Sequence, residues 1–134
     1  MKINRENALR LWDAIYGKTD LAKDCFGTYI YKEDFGDYVT KRKWQEDGKY
    51  YNFGWDVDHI LAVSKGGTDD NNNLEPMHWE NNREKADKTV FHIGETQYEI
   101  YRCKLTVDGY KGYGIIDRIS GSRVDWKAKF NKHF

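Results

Sequence analysis

The run Gly54-Trp55-Asp56-Val57-Asp58-His59-Ile60, followed by Gly66-Gly67, Asn73-Leu74, Pro76 and Asn82-Arg83-Glu84-Lys85, constrains this chain more than any other stretch. Residues 55–59 read as a strand that ends on the Asp58-His59 pair. Residues 62–72 read as a loop, in which Gly66 and Gly67 supply positive φ angles that a β-branched residue reaches only at a cost. Pro76 fits the first turn of a helix, where its missing N–H is not needed, and that helix is expected over about 77–88. On it His78 and Asn82 lie four apart and share a face.

The residue types in this order point to one chemistry. A carboxylate and an amide oxygen suit a hard divalent cation, and an imidazole beside them suits the activation of water. Asp58-His59-Ile60, Ser64-Lys65-Gly66-Gly67, Asn73-Leu74 and Asn82-Arg83-Glu84-Lys85 stand in the order and spacing of the HNH endonucleases, and the segment from about 55 to 87 resembles that family. The resemblance implies a ββα-metal element of two short strands and a helix. It implies Asp58 and Asn82 as metal ligands, His59 as the general base, and Asn73 as the residue that holds the loop and orients His59. Two protein ligands suit Mg²⁺, which keeps several waters; Mn²⁺, Ni²⁺ and Zn²⁺ are alternatives.

Many relatives carry cysteine pairs for a structural zinc around such a core. Here His78 and Asn81 take those positions, so a structural zinc is not expected. His78 has two readings, a third metal ligand one turn before Asn82 or a packed helix residue. Arg83 and Lys85 are read either as contacts to phosphates flanking the cut or as ordinary exposed helix charge.

The net charge is zero, which counts against a nucleic-acid partner only if charge is spread evenly. It is not. Residues 56–90 hold four basic against eight acidic side chains, residues 91–134 eight against five, and residues 1–55 ten against nine. A metal site concentrates acid, so phosphate contacts are expected from the flanks: Lys65, Lys41, Arg42, Lys43 and the basic C-terminal stretch. With 39% hydrophobic and 33% charged residues the composition is that of a folded globular chain. No apolar run approaches membrane-spanning length, and Met1 to Glu6 lack a secretory signal, so a cytoplasmic location is expected. Cys25 and Cys103 sit in no Cys-x-x-Cys pair and are read as reduced, buried thiols.

Around the motif, residues 4–16 read as a helix with Asn4 as N-cap and Gly17 as its stop. Its apolar stripe is Ala8, Leu11, Trp12, Ile15 and Tyr16. Residues 24–32 suggest a turn entering a strand, and 44–55 irregular or β structure. Residues 97–107 and 110–119 suggest a hairpin turning at Asp108-Gly109, and Trp126, Phe130 and Phe134 a short terminal helix. The expected fold is a single α+β domain: an HNH core, an N-terminal helix, and a C-terminal hairpin and helix from about residue 91. That appendage is read as completing the core in preference to clamping DNA. The expected activity is metal-dependent hydrolysis of DNA, with RNA as a further possible substrate, in the manner of small phage or mobile-element enzymes. The alternative is a catalytically silent module of the same fold that binds nucleic acid or a protein partner.

Overall fold

The computed structural model describes residues 3–103 and 112–126. Helix α1 (Arg5–Tyr16) comes first, then the hairpins β1 (Leu21–Lys23) with β2 (Tyr29–Tyr31) and β3 (Lys41–Lys43) with β4 (Tyr50–Asn52). Strands β5 (Trp55–His59) and β6 (Leu74–His78) pair antiparallel across the intervening loop, and α2 (Trp79–Lys85) follows β6 directly. Strands β7 (Val90–Ile93), β8 (Thr96–Cys103) and β9 (Gly112–Asp117) make a three-stranded antiparallel sheet. The fold is mixed α+β, and no helix among the described residues is long and apolar enough to cross a membrane.

Helix α1 begins where the sequence says it should. The Asn4 side chain accepts a hydrogen bond from the Asn7 N–H (2.9 Å), and Gly17 ends the helix at a φ of 73°. Ala8, Leu11, Trp12 and Ile15 form its buried stripe and pack against Ile30, Trp55, Val57 and Leu74. A second cluster joins Ile60, Leu61 and Met77 to Phe91, Ile100, Tyr113 and Ile115. The sheet β7–β9 is therefore packed on the motif strands through apolar contact. Strand β5 lies between the two clusters and supplies side chains to opposite faces by its alternation. Trp55 and Val57 enter the α1 core, while Asp56 and Asp58 turn towards α2.

Two local expectations change. The helix starts at Trp79, not at about 77, and it ends at Lys85. Pro76 lies in β6 opposite Val57, where a missing N–H is tolerated because β6 is paired on one side only. Of the two loop glycines, Gly66 has the left-handed φ (96°), whereas Gly67 is required for closeness: a Cβ there would overlap the Leu61 carbonyl. Cys25 is buried. The Cys103 side chain, the Asp108-Gly109 turn, Phe130 and Phe134 lie outside the described residues.

Candidate active site

Asp58 and Lys85 form a buried pair at the heart of the β5–β6–α2 unit. Asp58 Oδ2 lies 3.1 Å from Lys85 Nζ, with side-chain exposures of 5% and 0%. The ammonium also donates to the His59 carbonyl (3.0 Å), so it ties two consecutive residues of β5 to α2. Lys85 comes inside because it follows Asn81 by four positions, and both face the interior of a short helix. This corrects the expectation of Lys85 as a phosphate contact or an exposed charge. Burial pushes the Asp58 carboxyl up to about 6, against the opposing pull of Lys85. The ammonium donates to Asp58 Oδ1 (3.3 Å) and meets Oδ2 as an ion-pair contact outside hydrogen-bond geometry.

His59, half-buried at the end of β5, places Nε2 2.8 Å from Asp69 Oδ1. The imidazole in turn holds the Asp69 carboxyl below the ordinary carboxylate range. Nδ1 of His59 makes no hydrogen bond among the described residues. Asn73 holds the loop, as expected, but its side chain does not reach the His59 imidazole. Its fully buried amide accepts from the Leu61 N–H (2.9 Å) and donates to the carbonyls of Leu61 (3.0 Å) and Thr68 (2.8 Å). It thus closes the loop, and the contact to the imidazole belongs to Asp69. No sequence signal singles out Asp69, one acid in a run of Asp and Asn.

Asn82, half-buried on α2 one turn before Lys85, lines a cleft of about 220 Å³ with Tyr38, Asp56, Trp79 and Arg83. The Tyr38 hydroxyl donates to Asp56 (2.6 Å), and this bond pushes the phenol up to about 12. Arg83 is exposed and its guanidinium lies over the Trp79 ring (4.5 Å). Asp56 was missed from sequence, although a residue two before Asp58 on a strand shares its face.

His78 is placed away from the Asp58 side chain. It is the last residue of β6, opposite Trp55, and caps α2. Its Nδ1 accepts from the Glu80 N–H (3.1 Å) and its Nε2 donates to the Asn52 carbonyl (2.9 Å). Both ring nitrogens are hydrogen-bonded within the fold, and His78 ends β6, which corrects the expectation that it shares a helical face with Asn82. Asp24, wholly buried, supplies the crosslink at this end. Its Oδ2 accepts from the His78 N–H (3.0 Å) and the Asn81 amide (2.9 Å), and its Oδ1 accepts from the N–H groups of Phe26 and Thr28 (3.0 Å each).

Among the expected phosphate contacts, Lys41, Lys43 and Lys65 are exposed. Arg42 is not available in the same way: its guanidinium forks onto Asp34 (2.9 and 2.8 Å) and stacks on Tyr31 (4.1 Å). Among the described residues, no group of three or more His, Cys, Asp or Glu side chains is assembled around one point.

Residues 45–88 match the model of the HNH endonuclease family, a span that contains β4, β5, β6 and α2. Over this segment, about a third of the chain, the sequence is similar to HNH endonucleases. Asp58, His59, Asn73 and Asn82 all fall within it, as do Asp69 and Lys85. No curated protein and no solved structure matches the chain.

Proposed function

We propose that this chain is a metal-dependent endonuclease that hydrolyses DNA phosphodiester bonds, with β5, β6 and α2 as its ββα-metal element. Asp58 and Asn82 would hold a single divalent cation, and His59 would act as the general base. The observation that carries this reading is the buried Asp58 carboxylate one residue from the half-exposed His59 imidazole, both within the segment similar to HNH endonucleases. A carboxylate kept out of water fits a cation better than it fits solvent. The two proposed ligands, Asp58 and Asn82, offer oxygens, and oxygen donors favour Mg²⁺ or Mn²⁺ over Zn²⁺ or Ni²⁺.

When bound, the cation supplies positive charge at the scissile phosphate and at the departing 3′ oxygen. His59 takes a proton from water as the water oxygen bonds to phosphorus. The bond from phosphorus to the 3′ oxygen breaks, and that oxygen is protonated from solvent. Lys85 holds Asp58 and the His59 carbonyl in one frame, so the two functional side chains cannot drift apart. Exposed Arg83, Lys65, Lys41 and Lys43 supply sequence-independent phosphate contacts.

One observation favours a second reading, a catalytically silent module of the same fold that binds nucleic acid or a protein. The Asp58 carboxylate already has a fully buried cation beside it, Lys85. A plasmid-cleavage assay separates the two. The enzyme nicks or cuts DNA with Mg²⁺ or Mn²⁺ and stops in EDTA, and His59→Ala loses about 10²–10⁴-fold in rate while still binding DNA. A silent module cleaves neither DNA nor RNA with any divalent ion.

A further inference from the structure

We propose that the hollow between the β3–β4 hairpin and the N-terminal end of α2 is a receptor for a cationic side chain, arginine or lysine, presented by a basic segment of a partner protein. The hollow has a volume of about 410 Å³ and shares no lining residue with the cleft that holds Asn82. Four aromatic rings line it. Tyr29 and Trp44 meet at 4.7 Å and 40°, Trp44 and Phe53 at 6.0 Å and 43°, and Phe53 and Tyr51 at 6.4 Å and 59°. Rings tilted in this way make the walls of a cage and not a flat stack, and the negative faces of aromatic rings attract cations. The charged groups on the lining are Glu46, Asp47 and Glu80, with no Lys or Arg among the described residues.

The sign of that charge selects the ligand. Asp47 accepts from the Tyr51 hydroxyl and the Lys49 N–H, whereas Glu46 and Glu80 are exposed and form no ion pair among the described residues. The donors that could serve a phosphate are spent within the fold. The Asn81 amide is used on Asp24 and Thr28, the Asn52 amide on the carbonyls of Asp37 and Thr40, and His78 Nε2 on the Asn52 carbonyl. An anion would meet three carboxylates here, while a guanidinium or ammonium meets ring faces and two carboxylates that lack a partner. Lys23, which does not line the hollow, already places its ammonium over the Tyr29 ring (5.2 Å). The cage is set by backbone: Trp44 N–H donates to the Lys49 carbonyl (2.7 Å) and Gly48 N–H to the Trp44 carbonyl (2.8 Å), which fixes the turn that carries Glu46 and Asp47. On the rim Tyr29 and Tyr51 are 36% and 42% exposed, and aromatic side chains of this kind are enriched where proteins bind proteins. Neither Trp44 nor the two glutamates belongs to the proposed cleavage machinery, so the inference stands apart from the nuclease reading.

The test titrates the whole chain, without metal, with a capped peptide of alternating arginine and glycine. A second peptide carries citrulline in place of arginine, which keeps the shape and removes the charge. Calorimetry should show saturable binding of the arginine peptide with a Kd below about 1 mM, and binding of the citrulline peptide at least about tenfold weaker. The Trp44 indole N–H resonance, assigned with Trp44→Phe, should shift with the arginine peptide. Trp44→Ala should weaken binding by about 3–30-fold and Trp44→Phe by less, because indole is the strongest of the aromatic partners for a cation. Glu46→Lys/Glu80→Lys should abolish binding with Tm within about 2 °C of the wild type, since both positions are exposed, and this variant carries the test should Trp44→Ala fail to fold. Equal affinity for the two peptides overturns the inference. So does undiminished binding of the arginine peptide by Glu46→Lys/Glu80→Lys. A short single-stranded oligonucleotide that, added alone, shifts the Trp44 indole resonance saturably also overturns it and makes the hollow a base-binding site.

Discussion

Replacing Lys85 with methionine keeps the aliphatic stem and removes half of a buried ion pair. Lys85 has no exposed surface and Asp58 almost none, at a separation of 3.1 Å. Stranding one charge of such a pair costs about 3–5 kcal/mol. The lower end applies here, because Asp58, which burial already pushes up to about 6, escapes by taking a proton once the ammonium is gone. Unfolding entropy of roughly 2.1 cal/mol/K per residue over 134 residues is about 0.28 kcal/mol/K, so a loss of about 3 kcal/mol lowers Tm by about 10 °C. The assay is a thermal melt at pH 7 in EDTA, repeated with saturating Mg²⁺. The double variant Asp58→Asn/Lys85→Met should recover most of the loss, since neither charge is then stranded. Lys85→Met should also gain more from Mg²⁺ than the wild type does, because a competing cation has left Asp58. A Lys85→Met protein that melts within about 2 °C of the wild type in EDTA, a shift worth well under 1 kcal/mol, would refute the reasoning.

Asp24→Asn puts an amide N–H where backbone and side-chain donors converge and should cost about 2–4 kcal/mol, read by chemical denaturation, while calorimetric Mg²⁺ affinity stays unchanged. His78→Ala should likewise lower Tm and leave Zn²⁺ and Mg²⁺ affinity alone; a strong fall in Zn²⁺ affinity would make His78 a ligand after all. Hydrogen bonds from Thr40 and Val39 hold the Asp37 carboxyl down at about 2. Its contribution to stability is therefore present above about pH 4 and is lost as pH falls through about 2. The stability gap between wild type and Asp37→Ala should close over that window in acid titrations followed by circular dichroism.

What the sequence made legible was local or motif-bound. Asn4, Gly17 and the stripe of α1 are decided within one helix, and β5 with its Asp58-His59 end sits where the motif order puts it. The misplaced start of α2 has a physical origin. Pro76 satisfies the rule for a first helical turn, but pairing of β6 with β5 keeps the chain extended for two more residues. Lys85 was unreadable because its reason for being inside, Asp58, is 27 residues away. Arg42 was misread for a similar cause: within Lys41-Arg42-Lys43 nothing marks the middle residue as the one that meets Asp34 and Tyr31. Asp69 is a contact across a folded loop, visible only once Asn73 has closed it.

Helix α2 has seven residues, well short of what holds together alone in water. Its position is imposed from outside by two carboxylates. Asp24 grips the N-terminal end through the His78 N–H and the Asn81 amide. Asp58 grips the C-terminal end through Lys85. Asn82 lies between these grips, next to Asn81 and one turn before Lys85, so its placement depends on both. The two grips differ in kind. Asp24 is saturated with donors from the protein, whereas Asp58 keeps an oxygen without a hydrogen bond. One end of the helix is thus closed by several donors, and the other is held by a single buried ion pair. Loosening the Asp24 end should therefore cost stability first and activity second. Changes at Asp58 or Lys85 should move both together, because there the group that holds the helix is also the group proposed to hold the metal.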